Sequence, residues 1–208
     1  MRKWYDEQLA EVRRLLGEMC ECDAEAMRLV ERALDGAEGA ADAVRGCEIV
    51  SDGKEREIER LCMRIIVRQQ PVARDLALVT SAVKMVTDLE RIADQAADIA
   101  DILKGAGRCA VPPSLKDMTA TARRMTEMCA EALRGFDAET ARTIKRTDDV
   151  VDGLFVAVKT ELADMIDTHG EDGECAMDML MIAKYLERVG DHAVNIAEWI
   201  VFAEGQEK

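Results

Sequence analysis

Aromatic side chains make up only 3% of this 208-residue sequence, and proline occurs three times. A sandwich or barrel needs frequent turns and strands rich in aromatic residues, so both shortages argue against those folds. No apolar run approaches the roughly 20 residues that span a bilayer. The opening MRKWYDEQLAEV is acidic and amphipathic and has no apolar leader core, so a cytoplasmic protein without membrane insertion is expected. Positive charge is also scarce: 28 Lys and Arg stand against 42 Asp and Glu, a net charge of -14. Such a surface lacks the cations that would displace the counterions of a nucleic acid, and no nucleic-acid partner is expected. There is no glycine-rich phosphate loop, no nucleophile elbow and no Ser-His-Asp pattern. Direct contact with phosphate would require a bound cation to invert the local field. The seven cysteines include no CxxC pair. They are expected to be reduced, small buried hydrophobes, with Cys20 and Cys22 on different sides of one helix.

What remains is dominated by Ala, Leu, Met, Glu, Arg and Lys, the residues that lose least on entering a helix. Apolar spacing and breakers predict six helices. They run over about Trp4–Leu34, Ala41–Arg68, Ala73–Leu103, Leu115–Leu133, Ala138–Asp167 and Glu174–Ala203. Gly36 and Gly39 break the first, Pro71 forces the second corner, and Gly105, Gly107, Pro112 and Pro113 form the clearest linker. His169 is expected in the turn before the sixth helix. LERIADQAADIA (residues 89–100) aligns without gaps on LERVGDHAVNIA (186–197). A weaker match relates Glu55, Ile58, Glu59, Leu61 and Ile65 to Asp148, Val151, Asp152, Leu154 and Val158. The fold expected is all-α, with two tandem three-helix bundles related by a pseudo-twofold axis: residues 1–104, a Gly/Pro linker at 105–113, and residues 114–208.

The repeated helices carry carboxylates four apart: Glu90, Asp94 and Asp98 in the third, Glu187 and Asp191 in the sixth, with Asn195 and Glu198 extending the second stripe. Asp101 is close in angle to the first. Beside each stripe lies an apolar seam, Leu89, Ile92, Ala96, Ile99 and Leu103 or its copy Leu186, Val189, Ala193, Ile196 and Ile200. Small residues separate seam from stripe: Ala93, Ala97 and Ala100 in one copy, Gly190 and Ala197 in the other. The preceding helices add Glu55/Glu59 and Asp148/Asp152. A turn centred near residue 71 brings Glu55 within a helical turn of Glu90, and one near 171 sets Asp152 against residue 190. Like charges four apart disfavour a helix by a few tenths of a kcal/mol. Two readings stand: a solvated outer face, or an oxygen-rich site for a hard or borderline metal in each repeat. In the second reading crowded carboxylates have raised pKa values without metal, and the second repeat, with Gly190 and Asn195, binds more tightly. A ferritin-like oxidase would need Glu-x-x-His pairs, but the residues three after Glu90 and Glu187 are Ala93 and Gly190. His192 projects a quarter turn from Asp191 and suits a helix contact or a peripheral ligand. Arg91 and Arg188 are placed to pair with Asp94 and Asp191.

LERIAD and LERVGDHAVNIAEW resemble the duplicated Glu-x-x-x-Asp signature of the PhoU family, and Gln70-Pro71 with Arg74-Asp75-Leu76 resembles that family's QPxAxDLR element. The likeness covers essentially the whole chain. It departs at Ala93, where Gly is usual, at Asp98, where Asn is usual, and at Ala77, where Arg is usual, so the first site is expected to differ in packing or metal preference. The resemblance implies a non-enzymatic negative regulator of phosphate uptake and of the phosphate-starvation response. It implies a phosphate ABC transporter subunit and a sensor histidine kinase as partners, a homodimer, and iron or zinc clusters, or magnesium, at the acidic motifs. Glu90, Asp94, Glu187 and Asp191 carry over as motif residues, and Glu55, Glu59, Asp148 and Asp152 as acids of the partner helices. A metal-storing or oxidising carboxylate bundle, and an accessory subunit of another phosphate transporter, are the rival readings.

Overall fold

The computed structural model describes residues 2–69, 71, 74–106, 109–169 and 173–205. It consists of six helices: α1 (Arg2–Leu34), α2 (Ala40–Gln69), α3 (Arg74–Gly105), α4 (Pro113–Gly135), α5 (Ala138–His169) and α6 (Gly173–Gly205). No strand occurs among the described residues. Gly36 and Gly39, both at positive φ, make the α1–α2 turn without the Cβ penalty of that region. Pro113 opens α4, where its missing N–H costs nothing. Helix α4 runs through Gly135, and the left-handed residue that ends it is Phe136, whose N–H bonds back to the Ala132 carbonyl. Asp137 then caps α5, accepting from the Glu139 N–H and the Thr140 hydroxyl. His169 is the last residue of α5 rather than a turn residue. Gln70 and Gly107, read from sequence as motif and linker residues, lie outside the described residues.

Helices of matching rank meet across the two halves: α1 packs on α4, and α3 on α6. The pairs Glu21–Arg134, Arg28–Glu127 and Asp35–Lys116 run in opposite chain directions, so α1 and α4 are antiparallel. With α1 on α3 and α4 on α6, these four helices close a ring, the arrangement a twofold axis produces. Helix α2 covers only α1 and α3, and α5 covers only α4 and α6. One apolar core runs through both repeats. Both seams are at its heart, with Leu89, Ile92, Ile99, Leu186, Val189 and Ile196 fully buried. Burying each such side chain contributes roughly 1.5–3 kcal/mol.

The cysteines depart from expectation. Cys109, in the linker before α4, is bonded to Cys175, in the first turn of α6, with a Cα–Cα distance of 5.5 Å. The chain reverses direction at each corner, so α4 and α6 start at the same end of the molecule. That brings together two cysteines 66 residues apart that no motif connects. Cys20, Cys62 and Cys129 are buried free thiols, as expected, and Cys22 is partly buried on a different side of α1 from Cys20.

Candidate functional site

The acidic faces lie where an outer helix meets an inner one, and the first repeat gathers them more closely. Carboxylate oxygens of Asp52, Glu90 and Asp94 all lie within 4.8 Å of one another, the one such three-acid group among the described residues. Asp52 comes from α2; Glu90 and Asp94 come from α3, one helical turn apart. Burial, the Asp94 carboxylate and Glu55 push Glu90 up to about 7, while Arg91 pulls the other way. Glu55 is also raised, by burial and then by Glu59 and Asp52, with a smaller push from Asp94. Glu59 is exposed at the edge of this group. Arg91 pairs with both Glu90 and Asp94, as its spacing predicts for Asp94, and Arg56 reaches Asp52 at 3.0 Å.

In the second repeat Asp148 of α5 is pushed up to about 6 by burial, then by Asp152, Asp191 and Glu187 among its neighbours. Asp191 is raised by burial and Glu187. A Cβ at Gly190 would lie 2.8 Å from an Asp148 carboxylate oxygen, so the glycine lets α5 and α6 meet as closely as its small size implies. The helix register therefore sets Asp148, not Asp152, against residue 190, and centres the hairpin near residue 169 rather than 171. Cations compete for this face. Lys184 pairs with Glu187. Lys145, which occupies the position matching Asp52, pairs with Glu198 at 2.8 Å. Arg188 makes no ion pair with Asp191 among the described residues, and instead lines a depression with Arg45, Arg91, Asp94 and Asp98.

Four candidate carboxylates thus have raised pKa values, from burial first and from the expected crowding second. The preference expected for the second repeat is not what the geometry supports, because lysines take up Glu187 and Glu198 while the first repeat supplies a third close acid. Asp98 is exposed and joins no three-acid group, and Glu198 is held by Lys145. Asp101 is held by Arg45 and Lys104. His192 takes the helix-contact role: its Nδ1 lies 2.9 Å from the Asp88 carboxylate of α3, which also accepts from Asn195. Asp52 is missed by a search for acids four apart. Its signal was the three-residue step to Glu55, which also stays on one helix face.

A family model described as the PhoU domain matches residues 16–103 and again 115–200. The chain belongs to the PhoU family. A curated Pseudomonas aeruginosa relative, named phosphate-specific transport system accessory protein PhoU homolog, is 31% identical over 83% of this chain and 73% of its own length. A Mycobacterium tuberculosis relative, PhoU homolog 2 of the same description, is 31% identical over 97% of both. The crystal structure of PhoU from Pseudomonas aeruginosa superimposes with a TM-score of 0.89 at 28% identity, covering 97% of this chain and 99% of that one. The two family matches end within the helices that carry Glu90/Asp94 and Glu187/Asp191, so both acidic motifs lie in PhoU domains.

The donor set of the first repeat fits a hard cation. It offers only oxygens, from three side chains on two helices, and burial followed by the neighbouring carboxylates raises Glu90 to about 7. Asp52, Glu90 and Asp94 would hold such an ion, with Glu55 next to them. The second face offers Asp148, Asp152, Glu187 and Asp191, once Lys184 releases Glu187.

Proposed function

We propose that this protein is the accessory regulator of a phosphate-specific transport system, restraining phosphate uptake through cation-loaded acidic faces on a non-enzymatic scaffold. The observation that carries this reading is the convergence of Asp52, Glu90 and Asp94 inside a PhoU domain. The relatives' names, accessory proteins of a phosphate-specific transport system, support the transport context. No catalytic constellation is needed for it. A cation there would neutralise the repulsion that the bare carboxylates impose and join α2 to α3, fixing the surface that partners read. The partners in this reading are a phosphate ABC transporter subunit and a sensor histidine kinase, met in the cytoplasm by a homodimer. Among the described residues no helix is long and apolar enough to cross a membrane.

The test is a strain lacking this gene, complemented with wild type, Asp52→Asn/Glu90→Gln/Asp94→Asn, or Glu187→Gln/Asp191→Asn. Phosphate uptake in replete medium and the metal content of each purified protein are measured together. Uptake should rise in the empty strain and fall with wild type. The first variant should lose most of its metal and fail to restrain uptake, and the second should lose less. Unchanged uptake in the empty strain would end the regulatory reading. Equal metal in all three proteins would return the acids to a solvated face.

A further inference from the structure

Helix α2 leans on α1 and α3 alone, so its outward side faces solvent along its length. At about 100° per residue, Ile49, Arg56, Arg60, Met63, Arg64 and Val67 fall within one arc of that side. Val50 and Arg68 stand at its edge, and Glu57 is the one acid among them. The apolar members are well out of the core: Ile49 is 65% exposed, Met63 57% and Val67 72%. Arg56 turns aside to Asp52. Arg60, Arg64 and Arg68 have no ion-pair partner among the described residues, in a molecule with 14 more negative than positive charges. The stripe is not a by-product of the repeat. The α5 positions that match the four arginines are Asp149, Gly153, Ala157 and Glu161, so the feature belongs to one side of the molecule.

Exposed aliphatic side chains mixed with unpaired arginines on a convex helix need a partner that is anionic, apolar just beneath its surface, and flat. A groove-bound anionic peptide is disfavoured, because the depression at the α1 edge of this face is lined by Glu7, Glu11 and Glu57 beside Arg64. An anionic bilayer meets all three requirements: Arg stems lie along apolar surface while their guanidinium groups bind phosphate, and aliphatic tips enter the acyl boundary. The span from Ile49 to Val67 is about 27 Å of helix, long enough to lie in the interface. Of the acids beside the stripe, Asp52 is taken by Arg56 and Glu11 by Arg14, and charges more than about 8 Å away are screened at physiological salt.

We infer that the outer face of α2 docks this protein on an anionic membrane surface, with Ile49, Met63 and Val67 in the headgroup–acyl boundary and Arg60, Arg64 and Arg68 on lipid phosphates. The inference stands independently of the proposed function. It is tested by sedimenting the full chain with vesicles of phosphatidylglycerol and phosphatidylcholine, and with phosphatidylcholine alone. Wild type should bind the mixed vesicles at least about tenfold more strongly, as several basic contacts to anionic lipid imply. Arg60→Glu/Arg64→Glu should abolish the preference, and Met63→Ser/Val67→Ser should weaken binding even at low salt. Val156→Ser, an exposed change on α5, should leave it intact. Melting curves matching wild type exclude misfolding as the cause of any loss. Wild type with no preference for the anionic vesicles, or a charge-reversed variant that binds like wild type, overturns the inference. Capture on immobilised polyglutamate without vesicle binding also overturns it, assigning the stripe to an acidic protein.

Discussion

At residue 190 the absence of a methyl group sets where the Asp148 carboxylate lies, 2.8 Å from the Cβ that alanine would add. The matching positions in the first repeat are Ala93, almost wholly buried, and the longer acid Glu55. A larger inner residue is matched by a longer outer acid, a smaller one by a shorter acid. Gly190→Ala gains about 1 kcal/mol of helix propensity and displaces a movable carboxylate, so stability should stay within about 1 kcal/mol of wild type. The change belongs to Asp148: pushed outward into water, its pKa should fall from about 6 toward the ordinary carboxylate range. Carbon-detected NMR titration of the metal-free protein reads this directly, and adding Asp148→Glu should restore a raised value. An unaltered titration in Gly190→Ala would show that the contact does not position the acid. Asp23 is a second residue with a pH signature. It is fully buried, accepts 2.8 Å from the Ser51 hydroxyl, and burial raises its pKa well above the usual value. The folded state then holds a proton that the unfolded state releases above about 3.9. Asp23 therefore lowers stability as pH rises from there toward the raised folded value. Asp23→Asn should flatten that slope and melt higher than wild type at pH 8, with little difference at pH 4; parallel melting curves at both values would refute it.

At the scale of the helix, Cys109–Cys175 ties the lead-in of α4 to the first turn of α6. By the chain-entropy argument, a crosslink closing a loop of 66 residues stabilises by about 4 kcal/mol. Cys109→Ser, or reduction of wild type, should lower the melting temperature, and reduction of the variant should do nothing more. Equal melting with and without reductant would show that the bridge contributes nothing. The helices themselves were legible because Gly36, Gly39, Pro71 and Pro113 interrupt otherwise unbroken apolar periodicity, and local steric rules act there whatever the tertiary context. The acids of α3 and α6 were legible because a duplicated i, i+4 pattern has no packing reason to recur. Asp52 was not, since its role depends on the register between α2 and α3, which no single helix encodes. The lysines that take up Glu187 and Glu198 were hidden differently: Lys145 reaches across from α5 to α6, and Lys184 becomes a competitor only once its rotamer is known. The cysteine bridge was hidden because it spans two helices and two turns.

Across the whole molecule, the repeat predicted two three-helix units, but composition alone did not reveal which faces join them. Scarce aromatics leave Leu, Ile, Met and Ala to fill the core, and these pack as readily between repeats as within one. The outcome is a ring of α1, α3, α6 and α4 with one continuous interior. Neither half can leave without exposing its share of that interior, so the duplicated unit is not a module. The two outer helices are different. Each rests on two helices of its own repeat and sends apolar side chains into the shared interior, Ile58, Cys62 and Ile65 from α2. Helix α2 thus has three differently employed sides: an apolar one in the core, an acidic edge where Asp52 faces Glu90 and Asp94, and a back of arginines and aliphatic tips. One helix therefore carries both the candidate cation site and the candidate docking face, and a substitution in it has to be assigned to one side before its effect is read.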